Sequence, residues 1–245
     1  MIKPFLIFAV GIGILVAASA HEFSRRPESN ELLAPPSMMK YFALGYNEVL
    51  ADSFWIRVIQ DFDTCGRSQS QSTPNIPAET VVATAVLKQR VGRCEMSWVY
   101  KMIDAITELA PQFRSPYSDG GVILSIAVDD VEGASRIYDK AVSKYPTDYP
   151  ILYKAAYHFL YEVGDRPKAA GLLLDAAKYG APKWVEILAA RLYSKAGQAQ
   201  LGLQVLNDFV AANPDKADDP HVKQRMAEIE RDLAAGDGPE ATPAP

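Results

Sequence analysis

Few side chains in this sequence have the types and spacing that catalysis or metal binding requires. The three histidines, His21, His158 and His221, lie far apart along the chain. His158 and Glu162 are four residues apart, so on a helix they would share one face and could present two metal ligands. No third ligand is evident, and we favour a polar pair that faces a groove. The residues therefore indicate neither a metal site nor a cofactor.

The other motifs that resemble catalytic or phosphate-binding elements have ordinary structural explanations. Asp129-Asp130 and Asp218-Asp219 occupy predicted turns and helix starts, where carboxylates cap backbone N–H groups and complement the helix dipole. Gly11-Ile12-Gly13 lies within an apolar run and not in a phosphate-binding loop. The sequence has no Walker loop, no G-x-S-x-G and no HExxH pattern. We therefore predict that the protein is not an enzyme and has no catalytic residues.

Composition points to a globular, helical and mildly acidic protein. The 245 residues carry a net charge of −5, and 49% of them are apolar, which is enough for a sizeable core. Alanine and leucine are abundant, which favours helix. No stripe of Lys and Arg suits a phosphate backbone, so the charge pattern argues against nucleic acid as a partner.

Residues 1–20 have the pattern of an export signal. A short basic start precedes an uncharged run over residues 4–20. This run ends in Ala18-Ser19-Ala20, which fits a cleavage site before His21, yet at about 1.5 Å per residue it would also just span a bilayer. The chain is therefore expected in the cell envelope. Either residues 4–20 anchor it in the inner membrane with the C-terminal domain in the periplasm, or it is periplasmic after cleavage at Ala20.

The two cysteines, Cys65 and Cys94, flank the polar insert over residues 64–94. In an oxidising compartment a disulfide between them would close a loop of about thirty residues, worth roughly 3–4 kcal/mol in the chain-entropy model. The alternative is two unrelated buried thiols. We favour the disulfide because the pair is isolated and flanks the least regular stretch of the chain.

The N-terminal third of the chain predicts an irregular helix pair over residues 38–113. Residues 21–37 are a polar linker, and a long amphipathic helix is expected from Met38 to about Phe62 with Ser37 as its N-cap. A short helix is expected at residues 79–91 within the insert. The partner helix should run from about Glu95 to Leu109, where Pro111 ends it.

Three residues of the first long helix are predicted to have structural roles. Asp52 lies between apolar residues, and if buried it would need a hydrogen-bonding partner that fixes the first helix pair. Trp55 and Arg57 follow on the same helix, and Arg57 is correctly spaced to pair with Asp61.

From residue 114 onwards the sequence repeats with a period near 34 residues. Short helical segments alternate with turns, and the pairs fall at about 114–146, 150–182 and 182–214, each ending on a proline. One antiparallel pair cannot bury both of its apolar faces, so neighbouring pairs must stack. We expect three repeats over residues 114–214, then a capping helix within 215–235 and a tail over 236–245 that is disordered by composition.

The repeated positions resemble those of tetratricopeptide repeats. Second helices carry a small–large–small–proline pattern at matching offsets, namely Ala134, Tyr138, Ala141 and Pro146, then Ala170, Leu174, Ala177 and Pro182, then Gly202, Leu206, Phe209 and Pro214. First helices fit as Tyr117, Gly120, Gly121 and Leu124, then Tyr153, Ala156, Tyr157 and Leu160, then Val185, Leu188, Ala189 and Leu192. The family's first-helix tryptophan is Tyr or Val here. The resemblance implies an all-α, right-handed solenoid of antiparallel helix pairs that binds a protein or peptide.

A further likeness involves the N-terminal half. This half resembles exported tetratricopeptide proteins of delta-proteobacterial type. The likeness involves the apolar start and the segments Leu44-Gly45-Tyr46, Ala51-Asp52 and Trp55-Ile56-Arg57. This likeness implies an export route and a fold, and no activity.

The resemblance also places the surface that would bind a partner, because first helices line the concave face of such arrays. That face would carry Ser118, Val122, Lys154, His158, Tyr161, Lys183, Glu186 and Tyr193. Tyrosine mixed with charge suits a peptide or an extended partner segment, whereas the alternative is that these positions are merely solvated.

Two functions follow from this surface. We predict an interaction scaffold of the cell envelope. The alternative is an accessory protein that binds a small ligand, such as a glycan or lipid, in the groove. A deep aromatic pocket would favour the ligand, and a broad shallow groove a protein partner.

Overall fold

The computed structural model describes residues 11–13, 34–36, 38–61 and 96–236. Residues 11–13 belong to a separate N-terminal unit and are helical and exposed. Among the described residues, no helix combines the length and the apolar character that a membrane crossing needs. Most of the predicted signal or anchor over residues 4–20 lies outside the described residues, as do Ser37, Cys65, Cys94, the expected helix at 79–91 and residues 237–245.

The described chain from residue 34 onwards is built of helices and contains no strand. The α-helices are α1 (Met39–Phe42), α2 (Asn47–Gln60), α3 (Trp98–Leu109), α4 (Arg114–Val122), α5 (Val131–Lys144), α6 (Tyr149–His158), α7 (Arg166–Lys178), α8 (Trp184–Lys195), α9 (Ala199–Ala212) and α10 (Pro220–Ala234). π-helical turns extend α4 over Ile123–Val128 and α6 over Phe159–Val163, and a short 3₁₀ turn follows α9 at Pro214–Lys216. The prediction of an all-helical protein is confirmed for these residues.

The single helix expected from Met38 to Phe62 is wrong, because the chain breaks between α1 and α2. Leu44 has φ 49° and Gly45 has φ 87°, both in the left-handed region. A right-handed helix cannot continue through two such residues, and glycine adopts this conformation with little steric cost. The break turns α2 so that Ala51 and Val58 are buried as α2 packs on α3.

Asp52 does not meet the condition of burial under which it would need a hydrogen-bonding partner. Asp52 is exposed, because Ala51 and Val58 lie two turns apart on the buried side of α2 and the next residue points about 100° away from it. The aromatic contact in this region comes from Trp55, whose ring meets Phe113 edge to face at 6.0 Å. Arg57 lies over the ring of Trp98 at 5.7 Å and pairs with Asp61 at 3.5 Å.

From α4 onwards, consecutive helices joined by short turns pack on each other as hairpins. The first helices of the three pairs are α4, α6 and α8, and the second helices are α5, α7 and α9. α10 packs on α8 and α9 at the end of the stack. One core cluster joins the second and third pairs through residues such as Leu152, Phe159, Leu173 and Val185.

Small residues set how closely the helices of a pair approach. A Cβ placed on Gly121 would lie 2.5 Å from the ring of Tyr138. A Cβ placed on Gly202 would lie 2.5 Å from the carbonyl oxygen of Ala190 and 3.2 Å from the backbone nitrogen of Ser194. At Gly202 the obstacle is backbone, which no rotamer change can relieve.

A buried carboxylate joins the first irregular pair to the repeats. Asp130 caps α5, where its Oδ1 accepts a hydrogen bond from the Gly133 N–H at 2.8 Å. Its Oδ2 accepts a second bond, at 2.7 Å, from the N–H of Ser97 at the start of α3. Ser97 in turn caps α3, since its hydroxyl accepts from the Tyr100 N–H at 3.0 Å. One side chain therefore serves two helix N-termini.

We expect Gly202→Ala to destabilise the protein by about 1–3 kcal/mol, because the new methyl group meets the α8 backbone. Gly171→Ala is the matched control: it also lies within a second helix, and a Cβ there would lie 3.6 Å from the Tyr193 hydroxyl, an ordinary contact. That substitution should stabilise by about 0.5–1 kcal/mol through helix propensity alone. Urea unfolding of both variants measures the change in the free energy of unfolding, which should fall for Gly202→Ala and rise for Gly171→Ala. A gain in stability at both positions would contradict close packing at Gly202.

Asp130→Ala should destabilise more than Asp165→Ala, although both residues cap the second helix of their pair. Asp165 accepts one cap bond, from the Lys168 N–H at 3.0 Å, so its loss should cost about 1 kcal/mol. Loss of Asp130 also leaves the buried Ser97 N–H without a partner, for a total of about 2–4 kcal/mol. Equal losses in chemical unfolding would mean that the bond to Ser97 contributes nothing.

Candidate functional site

The exposed side of α4 and α6, with the π-helical turns that extend them, forms a surface that we call the first-helix face. Tyr157 and Tyr161 lie on it with ring centroids 4.5 Å apart, and they are 51% and 64% exposed. Ile126, from the preceding pair, is 67% exposed. A cavity of about 90 Å³ opens on this face, lined by Val122, Ser125, Ile126, Tyr138, Tyr153, Lys154, Tyr157, His158 and Glu162.

The π-helical turns place two of these side chains. A π turn holds one residue more than an α turn, so it shifts the following side chains around the helix axis. Both turns end in a left-handed residue, Asp129 at φ 65° and Gly164 at φ 82°. Ile126 and Tyr161 lie within these turns and face outward. α8 ends without a π turn, so the third pair does not repeat this arrangement.

His158 lies beneath the face and joins three elements. It is 2% exposed. Its Nδ1 lies 2.6 Å from Ser125 Oγ in the π turn after α4, and its Nε2 lies 2.8 Å from Ser135 Oγ on α5. Because the Ser135 hydroxyl donates to the Val131 carbonyl at 2.9 Å, Ser135 Oγ accepts from Nε2–H, and Nδ1 accepts from the Ser125 hydroxyl.

This Ser–His contact is better suited to structure than to catalysis. A nucleophilic Ser125 would have to give its proton to the imidazole, which would become a buried cation. Burial and the nearby ammonium of Lys168 lower the pKa of His158 to about 4, against a smaller opposing effect of Asp139. The imidazole is therefore neutral and holds the first and second pairs together. His158 lines the small cavity from below, and both of its ring nitrogens are used between helices.

The predicted site residues of the first two pairs fall into two groups. Val122, Lys154 and His158 line the cavity, and Tyr161 is exposed beside it. Ser118 is instead buried, and its hydroxyl accepts a hydrogen bond from Lys154 Nζ at 2.8 Å. Lys154 also pairs with Asp119 at 2.8 Å, so its charge is already engaged by the preceding helix.

The predicted site residues of the third pair lie apart from this surface. Lys183 Nζ donates to the Asn213 side-chain oxygen, at the end of α9. Glu186 is half-buried, and burial raises the pKa of its carboxyl group. Tyr193 packs against the core cluster near Gly171 of α7, and burial raises the pKa of its hydroxyl. None of the three lines the cavity.

The structure adds residues that the repeat pattern had assigned to interior packing. Tyr157 fits an interior position of the repeat but is exposed, and Tyr153 lines the cavity and meets the half-exposed Trp184 edge to face at 6.0 Å. Both residues precede the π turn of α6, which begins at Phe159, so the turn does not account for their exposure.

Other cavities border the described residues of the N-terminal region. One of about 410 Å³ lies between Pro35, Met39 and α3. α1 and the break that follows it also leave apolar side chains exposed, including Tyr41, Phe42 and Leu44. Both features adjoin segments outside the described residues. Among those that are described, no group of three His, Cys, Asp or Glu side chains could hold a metal ion.

Comparison with known proteins gives structural likenesses and no family. No family model matches the sequence, and no curated protein matches it. One solved structure that it resembles is the crystal structure of YrrB, described as a TPR protein with an unusual peptide-binding site. The match has 19% identity and a TM-score of 0.36, and it covers 54% of this chain and 72% of that one. At this level the comparison assigns no function, and the stacked helix pairs rest on the contacts described above.

The lowered pKa of His158 makes stability depend on pH. The unfolded chain binds this proton near pH 6.5 and the folded chain only near pH 4, so stability is fully present above about pH 6.5 and is lost as the pH falls. Between pH 7 and pH 5 this group should remove about 2 kcal/mol from the free energy of unfolding. His158→Gln should be less stable at pH 7 yet lack this part of the slope. Urea unfolding at a series of pH values measures the free energy of unfolding of both proteins. If it changes in parallel with pH in the unaltered protein and in His158→Gln, His158 is not the group responsible.

Proposed function

We propose that the protein is a non-enzymatic interaction scaffold of the cell envelope that binds an extended segment of a partner protein on its first-helix face. The observation that carries this proposal is the exposed Tyr157–Tyr161 pair beside a small cavity. Tyrosine offers a large, rigid contact area at low cost in conformational entropy and a hydroxyl for hydrogen bonding. Such side chains are enriched where proteins bind one another.

The size of the cavity favours a peptide over a small molecule. Small-molecule sites usually enclose roughly 300–1,000 Å³, whereas this cavity has about 90 Å³ and accepts a single side chain. An extended segment would insert one apolar residue among Val122, Ile126 and Tyr157, and would lay its neighbours across the tyrosine rings.

One candidate site for the alternative, a glycan- or lipid-binding accessory protein, is the cavity of about 410 Å³ beside α3. That cavity is within the size range of ligand sites, but its lining includes Lys40 and Glu108, which pair with each other at 2.7 Å. An apolar lipid tail would have to displace or bury this ion pair. We therefore place the main function on the first-helix face.

The envelope location rests on the sequence of residues 4–20. Retention of this segment would anchor the protein in the inner membrane, with the helical stack in the periplasm, and cleavage after Ala20 would release it there. In both cases the partner would be a protein of the envelope.

Replacement of both tyrosines tests the proposal. The double variant Tyr157→Ala, Tyr161→Ala should capture at least about tenfold less of the partner from cross-linked envelopes. A tenfold loss corresponds to contacts worth roughly 1.4 kcal/mol. Tyr179→Ala is the matched control, because Tyr179 is a comparably exposed tyrosine at the end of α7. Quantitative mass spectrometry of the captured proteins provides the measurement.

The tyrosine variant is a cleaner test than charge reversal at Lys154 or Lys183. Reversal at Lys154 would place a carboxylate beside Asp119, and reversal at Lys183 would disturb the bond to Asn213, so both changes would perturb the stack itself. Capture that is unchanged in the folded tyrosine variant, or equally lost in Tyr179→Ala, would show that the partner binds elsewhere.

A further inference from the structure

We propose that the first-helix face recognises proline-rich segments in the polyproline II conformation, and that the chain's own residues 237–245 form one such segment and compete with the partner. This inference rests on the proposed function of the face. It names the chemistry of the bound segment and a means of regulating access to it.

The exposed side chains of the face match the chemistry of a polyproline II segment. A chain in this conformation makes no internal hydrogen bonds, so its carbonyl groups remain free to accept from tyrosine hydroxyls. Proline rings are apolar and rigid, and recognition grooves for proline-rich segments are lined with aromatic side chains. Tyr157 and Tyr161 provide two adjacent aromatic rings, and the cavity beside them has room for one ring of the ligand.

The sequence after α10 has this composition. Residues 237–245 read DGPEATPAP, with Pro239, Pro243 and Pro245 among nine residues. Proline restricts the backbone before binding, so a segment of this kind loses little conformational entropy when it docks.

Contacts at the end of the stack bring the last turn of α10 to the end of α8. Asp232, in the last turn of α10, accepts a hydrogen bond from the Ser194 hydroxyl at 2.5 Å and lies 3.3 Å from Lys195 Nζ. The carbonyl group of Lys195 accepts from Arg166 at 2.9 Å. Arg166 is the first residue of α7 and follows Tyr161, near the end of α6, by five residues. The C-terminal ends of α10, α8 and α6 therefore lie at the same end of the stack.

The segment is long enough to reach the tyrosines. Nine residues in the polyproline II conformation span about 28 Å at 3.1 Å per residue. Packed helices lie about 8–10 Å apart, so the path from α10 across α8 to α6 covers about two such steps. Attachment to the same chain gives the segment an effective concentration on the order of millimolar, which an external partner must overcome.

A peptide competition experiment on the full chain tests the inference. The probe is a fluorescent peptide with the sequence of residues 236–245, and its binding is followed by anisotropy. The proteins are the unaltered chain and a tail variant carrying Pro239→Ala, Pro243→Ala and Pro245→Ala. We expect the probe to bind the tail variant at least about tenfold more tightly than the unaltered chain, because the internal competitor is removed.

Two controls assign the binding to the tyrosine pair. Addition of Tyr161→Ala to the tail variant should abolish binding of the probe, whereas addition of Tyr179→Ala should not change it. A probe in which the three prolines are replaced by alanine should bind neither protein.

The outcomes separate this inference from the proposed function. Equal affinity of the probe for both proteins, or no binding to either, would overturn the inference. If envelope capture still depended on Tyr157 and Tyr161 in that case, the scaffold function would stand without it. Binding that persists in Tyr161→Ala, or with the alanine probe, would also overturn it.

Discussion

Close approach of neighbouring helices is the constraint on which the rest of this structure depends. Gly121 leaves room for the ring of Tyr138, and Gly202 leaves room for the backbone of α8. These contacts fix which side of each first helix turns inward. The side that remains exposed is then determined, and it is on this side that α4 and α6 present Ile126, Tyr157 and Tyr161. Packing and recognition are thus two consequences of the same small residues.

Polar groups that could have taken part in chemistry are used to hold consecutive helices together. The carboxylate of Asp130 binds the N-termini of α3 and α5, and the imidazole of His158 binds hydroxyl groups from two other elements. A stack of helix pairs needs such ties because each pair contacts only its neighbours. Burial makes both groups costly to leave unpaired, which strengthens their structural role and opposes the changes of charge that catalysis would require.

The sequence predicts the repeated helices well where spacing alone decides the structure. Small and large residues at helical intervals, with prolines between the pairs, indicate hairpins near the positions where α4 to α9 lie. Prediction from the sequence fails where the backbone conformation of one or two residues changes the direction of the chain. Left-handed Leu44 and Gly45 break a helix whose apolar pattern continues through them, and Asp52 is exposed as a result. Spacing along a helix does not encode such a break.

The candidate surface was harder to predict because two of its side chains, Ile126 and Tyr161, lie within π-helical turns. The repeat register also assigned Tyr157 to the interior, whereas the structure leaves this side chain 51% exposed. Because the third pair lacks a π turn, the tyrosine surface is confined to the first and second pairs and does not extend along the whole stack. The repeats therefore supply the frame, and a departure from their regularity adds Ile126 and Tyr161 to the candidate surface.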